Sequence, residues 1–549
     1  MSPSERLHIA LVSTEYPPAY GGGIGTFVSV VTRALAARGH RVTVVTPGET
    51  DAEETGEGGV RVVRAACLAR PAPTDSAHTL ESWWAWSERA AQVVREIGAD
   101  VAEFPDYRAE AAALLARRTA GEGPAVVVRL HTPLGVLAAC NAARARHRAL
   151  EALEAEAILA ADGVISSSTA LTQRVREMVP ELGMVEFARY GVDPALFDVP
   201  SRESGGADVV YVGRLEERKG VAVLTRAAGE FLARSPSSVL HLVGGDTPWG
   251  PGEPSTRRVV EGLIDPAVRA RVRFHGALPP EQVRAVVQAA AVCVFPSLFE
   301  AGPYTCLEAM ALGRAVVGTD SGGMAEMIED GVTGRLCRAG DAADLARAVG
   351  ELLEAGPERL AQMGAAGRER VRERYSAAAA AEETEAAYRR ILAGRAAAAA
   401  RPEPTLAALL AARPENEAAL RAVFAERDRL AAGWEEQSRR IAELDAHVTR
   451  IWAELQAVAD ERTRWYEEAQ RLARAWEALS AELRETSLRA ASLNEKLLAT
   501  QADRAALIDR VSRLERAVSE AEKRPVFKIL ARAGLVRPIA AAARGGGGA

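Results

Sequence analysis

The stretch LHIALVSTEYPPAYGGGIGTFVSVVTRALAAR (7–38) holds the fold class in miniature. Leu7–Ser13 is a short, nearly continuous apolar run, the pattern of a strand buried on both faces. Gly21, Gly22 and Gly23 follow, and Phe27–Arg38 reads as a helix. Glycines let the backbone approach a ligand closely, and a helix N-terminus offers unpaired amides to an anion. The spacing is not GxGxxG, because the third glycine position falls on Val28, so a nicotinamide fingerprint is absent. Working outward, the same kind of run recurs at Val42–Thr46, Val126–Leu130, Val209–Val212, Val239–Val243, Val292–Phe295 and Ala315–Gly318, with Ala/Leu/Arg-rich helical stretches between. Such alternation predicts parallel sheets in α/β layers. Residues 195–207 are rich in Pro, Gly and Ser, and Val209–Val212 then opens a second series. The expected architecture is two facing Rossmann-like domains, 1–197 and 207–395, with a cleft between them.

Two further motifs fall after strands. In VVYVGRLEERKG (209–220), a strand end delivers Arg214 and then Lys219. Two cations beside the cleft of an open sheet suit a diphosphate, with Arg as a fork and Lys as a point charge. The bland alternative pairs either cation with Glu216 or Glu217 on a wet surface. In FPSLFEAGPYTCLEAMA (295–311), the Gly302-Pro303 turn predicts a helix start. That would aim the Tyr304 and Thr305 amides at the cleft and place Glu308 in the first turns, while Glu300 sits in the preceding loop. Each carboxylate could hold a pair of sugar hydroxyls. The alternatives are a helix-start acid for Glu308 and a solvated loop charge for Glu300.

The 549 residues suggest three or four structural units. A net charge of −6 excludes a globally basic nucleic-acid coat, and 48% hydrophobic residues exclude wholesale disorder. The five cysteines (Cys67, Cys140, Cys293, Cys306 and Cys337) contain no CxxC pair, which argues against a zinc site and against a disulfide framework. No apolar run is long enough to span a bilayer, and no secretory leader is evident, so a cytoplasmic protein is expected. After a hinge at 396–415, residues 416–524 follow a heptad rule. Taking a positions from Leu420 and d positions from Val423, twelve of fifteen in each series are apolar. That predicts a left-handed coiled coil, roughly 150 Å long if continuous, and through it a homo-oligomer. The tail 525–549 carries Lys528, Arg532, Arg537 and Arg544 with no acid, and reads either as a frayed rod end or as a membrane contact.

Taken together, GGGI (21–24), GHRV (39–42), HTP (131–133), GVD (191–193), GRL…KG (213–220) and Glu300-x7-Glu308 resemble the family 4 retaining glycosyltransferases. EAMA (308–311), Gly313, GG (322–323), Glu326 and GVTG (331–334) extend the resemblance, which covers residues 7 to about 395 in order. It implies a GT-B fold and a hexosyltransferase-type reaction that moves a sugar from a nucleotide-sugar to an acceptor hydroxyl. It implies no metal and no cofactor, since the nucleotide-sugar, with UDP or GDP as its nucleotide, is a substrate. Carried over, Arg214 and Lys219 clamp the donor diphosphate, with Gly23, Tyr304 and Thr305 adding amides. Glu308 binds the ribose, Glu300 holds donor-sugar hydroxyls, His131 stands at the reaction centre, and the loop Phe274–Leu278 reads the base. On the residues alone, His131 reads instead as a hydrogen-bonded structural histidine at a strand end, promoted only by its place in the ensemble, and Glu326 as a residue that caps or braces a loop.

Two departures from the family pattern stand out. Arg189-Tyr190 occupies the usual Pro-Asn position before GVD, which bears on the acceptor side, and Ala377 stands where an aromatic commonly follows Tyr375-Ser376. The chain contains no Asp-x-Asp, which disfavours the metal-dependent donor site of the other major transferase fold. The expected role is cell-surface polysaccharide or glycoconjugate synthesis on a glycan, glycolipid or small-molecule acceptor. A basic cluster, Arg144, Arg146, His147 and Arg148, suggests a lipid-linked acceptor or peripheral contact with the inner face of the membrane. The competing classes are a coiled-coil scaffold with a nucleotide-sensing GT-B module, and an epimerase or phosphorylase on the same fold.

Overall fold

The computed structural model describes residues 6–18, 22–67, 80–117, 122–140, 148–199, 206–249, 255–398, 468, 471, 474–489, 501–525, 528 and 532. Outside the described residues lie Gly21, most of the basic cluster at 144–148, the hinge beyond residue 398, most of the heptad segment and most of the basic tail. Residues 1–425 and 426–549 are two compact units.

The first unit contains two sheets. In chain order the first sheet's strands are β1 (His8–Val12), β2 (Arg41–Gly48), β3 (Ala52–Thr55), β4 (Arg61–Ala66), β5 (Val101–Pro105), β6 (Ala125–Leu130), β7 (Gly163–Ser166) and β8 (Val185–Phe187). Their spatial order is β3-β4-β2-β1-β5-β6-β7-β8. The second sheet holds β9 (Val209–Val212), β10 (Leu240–Val243), β11 (Val272–Gly276), β12 (Val292–Phe295), β13 (Ala315–Thr319) and β14 (Arg335–Cys337), ordered β11-β10-β9-β12-β13-β14. Every pairing is parallel except β3 with β4. The central strands β1, β5, β6, β9, β12 and β13 are buried along their whole length, which is why their sequences lack alternation. This two-lobed arrangement is the GT-B architecture.

The connections set where a ligand can bind. In the first lobe the strand order reverses between β1 and β5, and in the second between β9 and β12. Ligands of open parallel sheets bind outside the carboxyl ends of strands at such a switch point, because the flanking loops diverge to opposite faces and leave a crevice. The loops after β1, β5, β6, β9 and β12 are therefore the positions that matter.

Helix Ala377–Ala398 leaves the second lobe and packs on the first. It extends through 396–398, which the sequence assigned to the hinge. Glu385 accepts from Arg38 at 2.8 Å and lies 3.2 Å from His40. Tyr388 donates to Glu103 at 2.8 Å, and Arg129 donates to Thr384 at 3.2 Å. Arg129 also forks onto Glu103 at 2.8 and 3.0 Å, with both side chains buried. Burying either charge alone would be costly, and the pair with its neighbouring hydroxyls satisfies both. Ala377 is buried beside Gly191, where an added Cβ would stand 2.9 Å from the Ala377 Cα.

In the second unit the described residues are helical over 474–489 and Gln501–Lys523. Arg510 pairs with Glu482 at 2.8 Å. In one continuous helix those residues would lie about 42 Å apart. The expected uninterrupted rod therefore does not run through residues 482–510, whose two ends this ion pair brings together. An apolar heptad stripe needs a second helix against it, and a neighbouring stretch of the same chain can supply one.

Candidate active site

The first lobe presents three loops. After β1, Glu15 turns its carboxylate under the glycine segment and accepts the Gly25 amide at 3.3 Å. A Cβ at Gly25 would lie 3.1 Å from the Glu15 Cβ, which explains the missing side chain there. Helix Gly23–Ala37 begins directly above with no acidic residue in its own first turn, so the Glu15 carboxylate caps its Gly25 amide from outside the helix. Burial raises the Glu15 carboxyl above its ordinary range, opposed by the Gly25 amide and by Arg214 of the other lobe. After β5, Asp106 accepts the His131 amide at 3.0 Å, and its burial pushes it up to about 7. After β6, His131 is buried, with Nδ1 2.7 Å from the Tyr190 hydroxyl. Burial, helped by the Arg129 charge, lowers His131 to about 3, so it is neutral at any ordinary pH.

The second lobe presents the charged groups. Beyond β9 the chain makes a tight 3-10 turn, Glu217–Lys219, closed by Gly220 at φ +70°. A Cβ at Gly220 would fall 1.8 Å from the Pro296 carbonyl oxygen, so only glycine fits. Lys219 forms an ion pair with Glu300. Arg218 pairs with Glu300 at 2.8 Å and with Glu216 at 3.3 Å, and donates to the Phe299 carbonyl at 3.1 Å. Burial alone would raise Glu300, but Arg218 and Lys219 outweigh it and hold the carboxyl below its usual range. Burial lowers Lys219, partly opposed by Glu300. Arg214 pairs with Glu216 at 3.1 Å and is half exposed. The wet-surface alternative is thus right about the partner of Arg214 and wrong about Lys219.

The Glu300 loop rests on Gly322 and Gly323. A Cβ on either would come within about 2 Å of the Glu300 or Ala301 carbonyl oxygen, and the Gly323 amide donates to the Glu300 carbonyl at 2.8 Å. Helix Tyr304–Ala311 starts after Pro303 as expected, and the Cys306 and Leu307 amides both donate to the Pro303 carbonyl. The Tyr304 and Thr305 amides have no acceptor among the described residues. Glu308 lies one turn on, pushed up to about 7 mainly by burial, with Arg284 opposing. Glu326 caps the start of helix Thr169–Met178 from the other lobe, accepting the Ala170 amide at 3.0 Å.

One pocket of about 360 Å³ collects these groups. Gly23, His131, Arg214, Lys219, Glu300, Tyr304, Thr305 and Glu308 all line it. A Cβ at Gly23 would stand 3.5 Å from the Tyr304 ring, so glycine backbone and helix start face each other across the lobes. The segment Phe274–Leu278 does not line this pocket; Phe274 lies on β11, with the Arg257 guanidinium 5.0 Å over its ring. Among the described residues, no group of three or more His, Cys, Asp or Glu side chains could hold a metal ion. Nor is any described helix long and apolar enough to cross a membrane.

Residues 21–196 match the family described as Glycosyltransferase Family 4, and residues 206–355 match Glycosyl transferases group 1. A glycogen synthase of Mycobacterium tuberculosis is 30% identical over 377 residues, which cover 63% of this chain and 86% of that protein. The chain belongs to the family 4, group 1 glycosyltransferases. An alpha-maltose-1-phosphate synthase of Mycolicibacterium smegmatis is 35% identical over 262 residues, covering 44% of this chain and 66% of the relative. Among solved structures, sucrose-phosphate synthase from Thermosynechococcus elongatus superposes with a TM-score of 0.58 at 27% identity, covering 71% of this chain and 100% of that one. The catalytic domain of starch synthase IV from Arabidopsis thaliana has a TM-score of 0.55 at 16% identity over 71% of this chain and 100% of that domain, a likeness of fold.

Three groups in the pocket of this glycosyltransferase were not singled out from sequence. Arg218 was hidden in a run of charges that reads as solvated, yet it is buried and organises Glu216 and Glu300 together. Glu15 lay unassigned between a strand and glycines. Tyr190, in the sequence only a departure from the family pattern, is the hydrogen-bond partner of His131. Their burial depends on loops from distant parts of the chain, so local sequence carries no signal for it.

Proposed function

We propose that this glycosyltransferase moves a hexosyl group, with retention of anomeric configuration, from a nucleoside-diphosphate sugar to a hydroxyl of a glycan, glycolipid or small-molecule acceptor. The observation that carries this reading is the meeting, in one pocket, of Arg214, Arg218 and Lys219 with Tyr304 and Thr305 at a helix start and with Gly23. Cleaving the anomeric C–O bond leaves extra negative charge on the diphosphate. Preorganised cations and amides stabilise that charge without reorganisation. A cation about 4 Å away is worth on the order of 4 kcal/mol at an effective dielectric near 20, or about a thousandfold in rate.

In this reading Arg214 and Lys219 grip the diphosphate, so that Lys219 is shared between the phosphate and Glu300. Arg218, held from behind by Glu216, keeps Glu300 ionised to accept from donor-sugar hydroxyls. Glu308 takes the ribose hydroxyls. The diphosphate oxygen released at the anomeric centre receives the acceptor proton on the same face, so no side-chain base is required. The metal-free character of the site and the choice of UDP or GDP belong to the same proposal. The test is a screen of nucleotide-sugars with release of nucleoside diphosphate as readout, run with and without chelator. Lys219→Ala should lower turnover about a thousandfold with the fold intact by circular dichroism. Unchanged turnover in that variant would reject the assignment.

A further inference from the structure

Tyr190 stands where the resemblance expects Asn, and the surrounding structure is built to its ring. A Cβ at Gly302 would lie 2.7 Å from the Tyr190 Cδ2, so the glycine after Ala301 makes room for it. The ring stacks on His131 at 5.6 Å and 14°, and on Tyr304 of the other lobe at 5.1 Å and 20°. Phe27 lies 5.5 Å from it and meets His131 edge-on at 5.2 Å. The Tyr190 Oη to His131 Nδ1 distance is 2.7 Å, with both side chains buried. His131 Nε2 makes no hydrogen bond among the described residues, and His131 lines the pocket.

That pair has two possible proton arrangements. Burial raises the phenol of Tyr190, so it keeps its proton, and His131 is neutral with one ring N–H. An unprotonated imidazole nitrogen is a far stronger base than a phenol oxygen, so the hydroxyl donates to Nδ1 and the ring proton resides on Nε2. We propose that Tyr190 is a positioning residue that holds His131 as the Nε2–H tautomer, so that His131 meets the transferring sugar as a hydrogen-bond donor and not as a base. This rests on reading the pocket as the site of sugar transfer. The oxygen-rich substrate has many acceptors and one bond to break, and a fixed donor suits it. A histidine in the opposite tautomer would present a lone pair to those oxygens.

The experiment is ¹⁵N NMR of histidine-labelled full-length protein, with the His131 signals assigned by their loss in His131→Asn, together with steady-state nucleoside diphosphate release. Wild type should show an Nε2-protonated ring with Nδ1 as acceptor. Tyr190→Phe keeps the ring stack and removes only the hydroxyl. It should shift Nδ1 away from its hydrogen-bonded value and lower kcat roughly fivefold, the worth of one ordinary hydrogen bond, with the donor KM within about twofold. An Nδ1-protonated ring in wild type overturns the proposal. So does a Tyr190→Phe variant with unchanged His131 signals, or one with shifted signals and unchanged kcat. Absence of transfer by wild type would overturn the functional reading instead, while the NMR result still decides the pairing.

Discussion

Glu308 offers a sharp quantitative test of the donor site. Its carboxyl is pushed up to about 7, chiefly by burial, with Arg284 opposing and Asp193 adding to the rise. Ionised, it accepts from both ribose hydroxyls far more strongly than as the neutral acid, so donor affinity should rise with its ionised fraction. With a midpoint near 7, that fraction is about 0.9 at pH 8 and about 0.1 at pH 6. The dissociation constant of a nucleotide-sugar should therefore weaken about tenfold over that interval, or about 1.4 kcal/mol. The intact nucleotide-sugar is the right ligand, because its diphosphate is a diester and stays ionised throughout. His131, lowered to about 3, contributes nothing in this window. Isothermal titration calorimetry of wild type and Glu308→Gln at pH 6, 7 and 8 is the assay. The variant should bind at the weak, low-pH affinity and lose the pH dependence. A Glu308→Gln variant that keeps the tenfold slope would refute the reasoning, since the titrating group would then lie elsewhere.

Three other outcomes follow from the structure. Glu110 is buried, accepts from Trp86 at 2.9 Å, and is pushed up to about 7 by burial. A folded-state value raised above the unfolded one gives stability that is present below about pH 4.5 and lost as pH rises to 7, on the order of 3 kcal/mol. Glu110→Gln should make that part of the Tm-against-pH curve shallower, with Asp106 and Glu308 supplying the remaining slope, and an unchanged curve would contradict it. Gly220→Ala forces a side chain into the Pro296 carbonyl at positive φ and should cost at least about 2 kcal/mol in chemical denaturation, with loss of turnover because Lys219 is adjacent. Sedimentation of the full chain at several concentrations tests whether the heptad segment joins copies: a concentration-independent monomer would show that its stripe is covered within one chain.

Much of the fold could be read in the chain because buried parallel strands have a plain signature. Val209–Val212 and Val292–Phe295 are found at the predicted bounds. The edges were not legible. β3 is AEET, exposed throughout, and β14 is the three-residue RLC, neither long nor apolar enough to register. β5 contains Glu103 and β6 contains Arg129, charges that sequence alone assigns to surfaces and that become core only by meeting each other and Tyr388. The pocket was more legible than its wiring. Glycine runs and cations after strands reveal where a crevice opens, since the switch points of both sheets fix that place. Which cation pairs with which carboxylate depends on approach between residues some eighty apart, as in Lys219 with Glu300.

The main chain passes between the lobes at two neighbouring points. Val192 bridges Ser376, and the Val192 amide donates to the Tyr375 carbonyl at 2.9 Å, so outgoing and returning strands run side by side. Two adjacent tethers permit one lobe to swing about the line joining them but resist sliding or twisting. A swing about that pair of tethers moves the far rim of the crevice most, whereas Glu103 and Arg129, paired on adjacent strands of the first lobe, travel together.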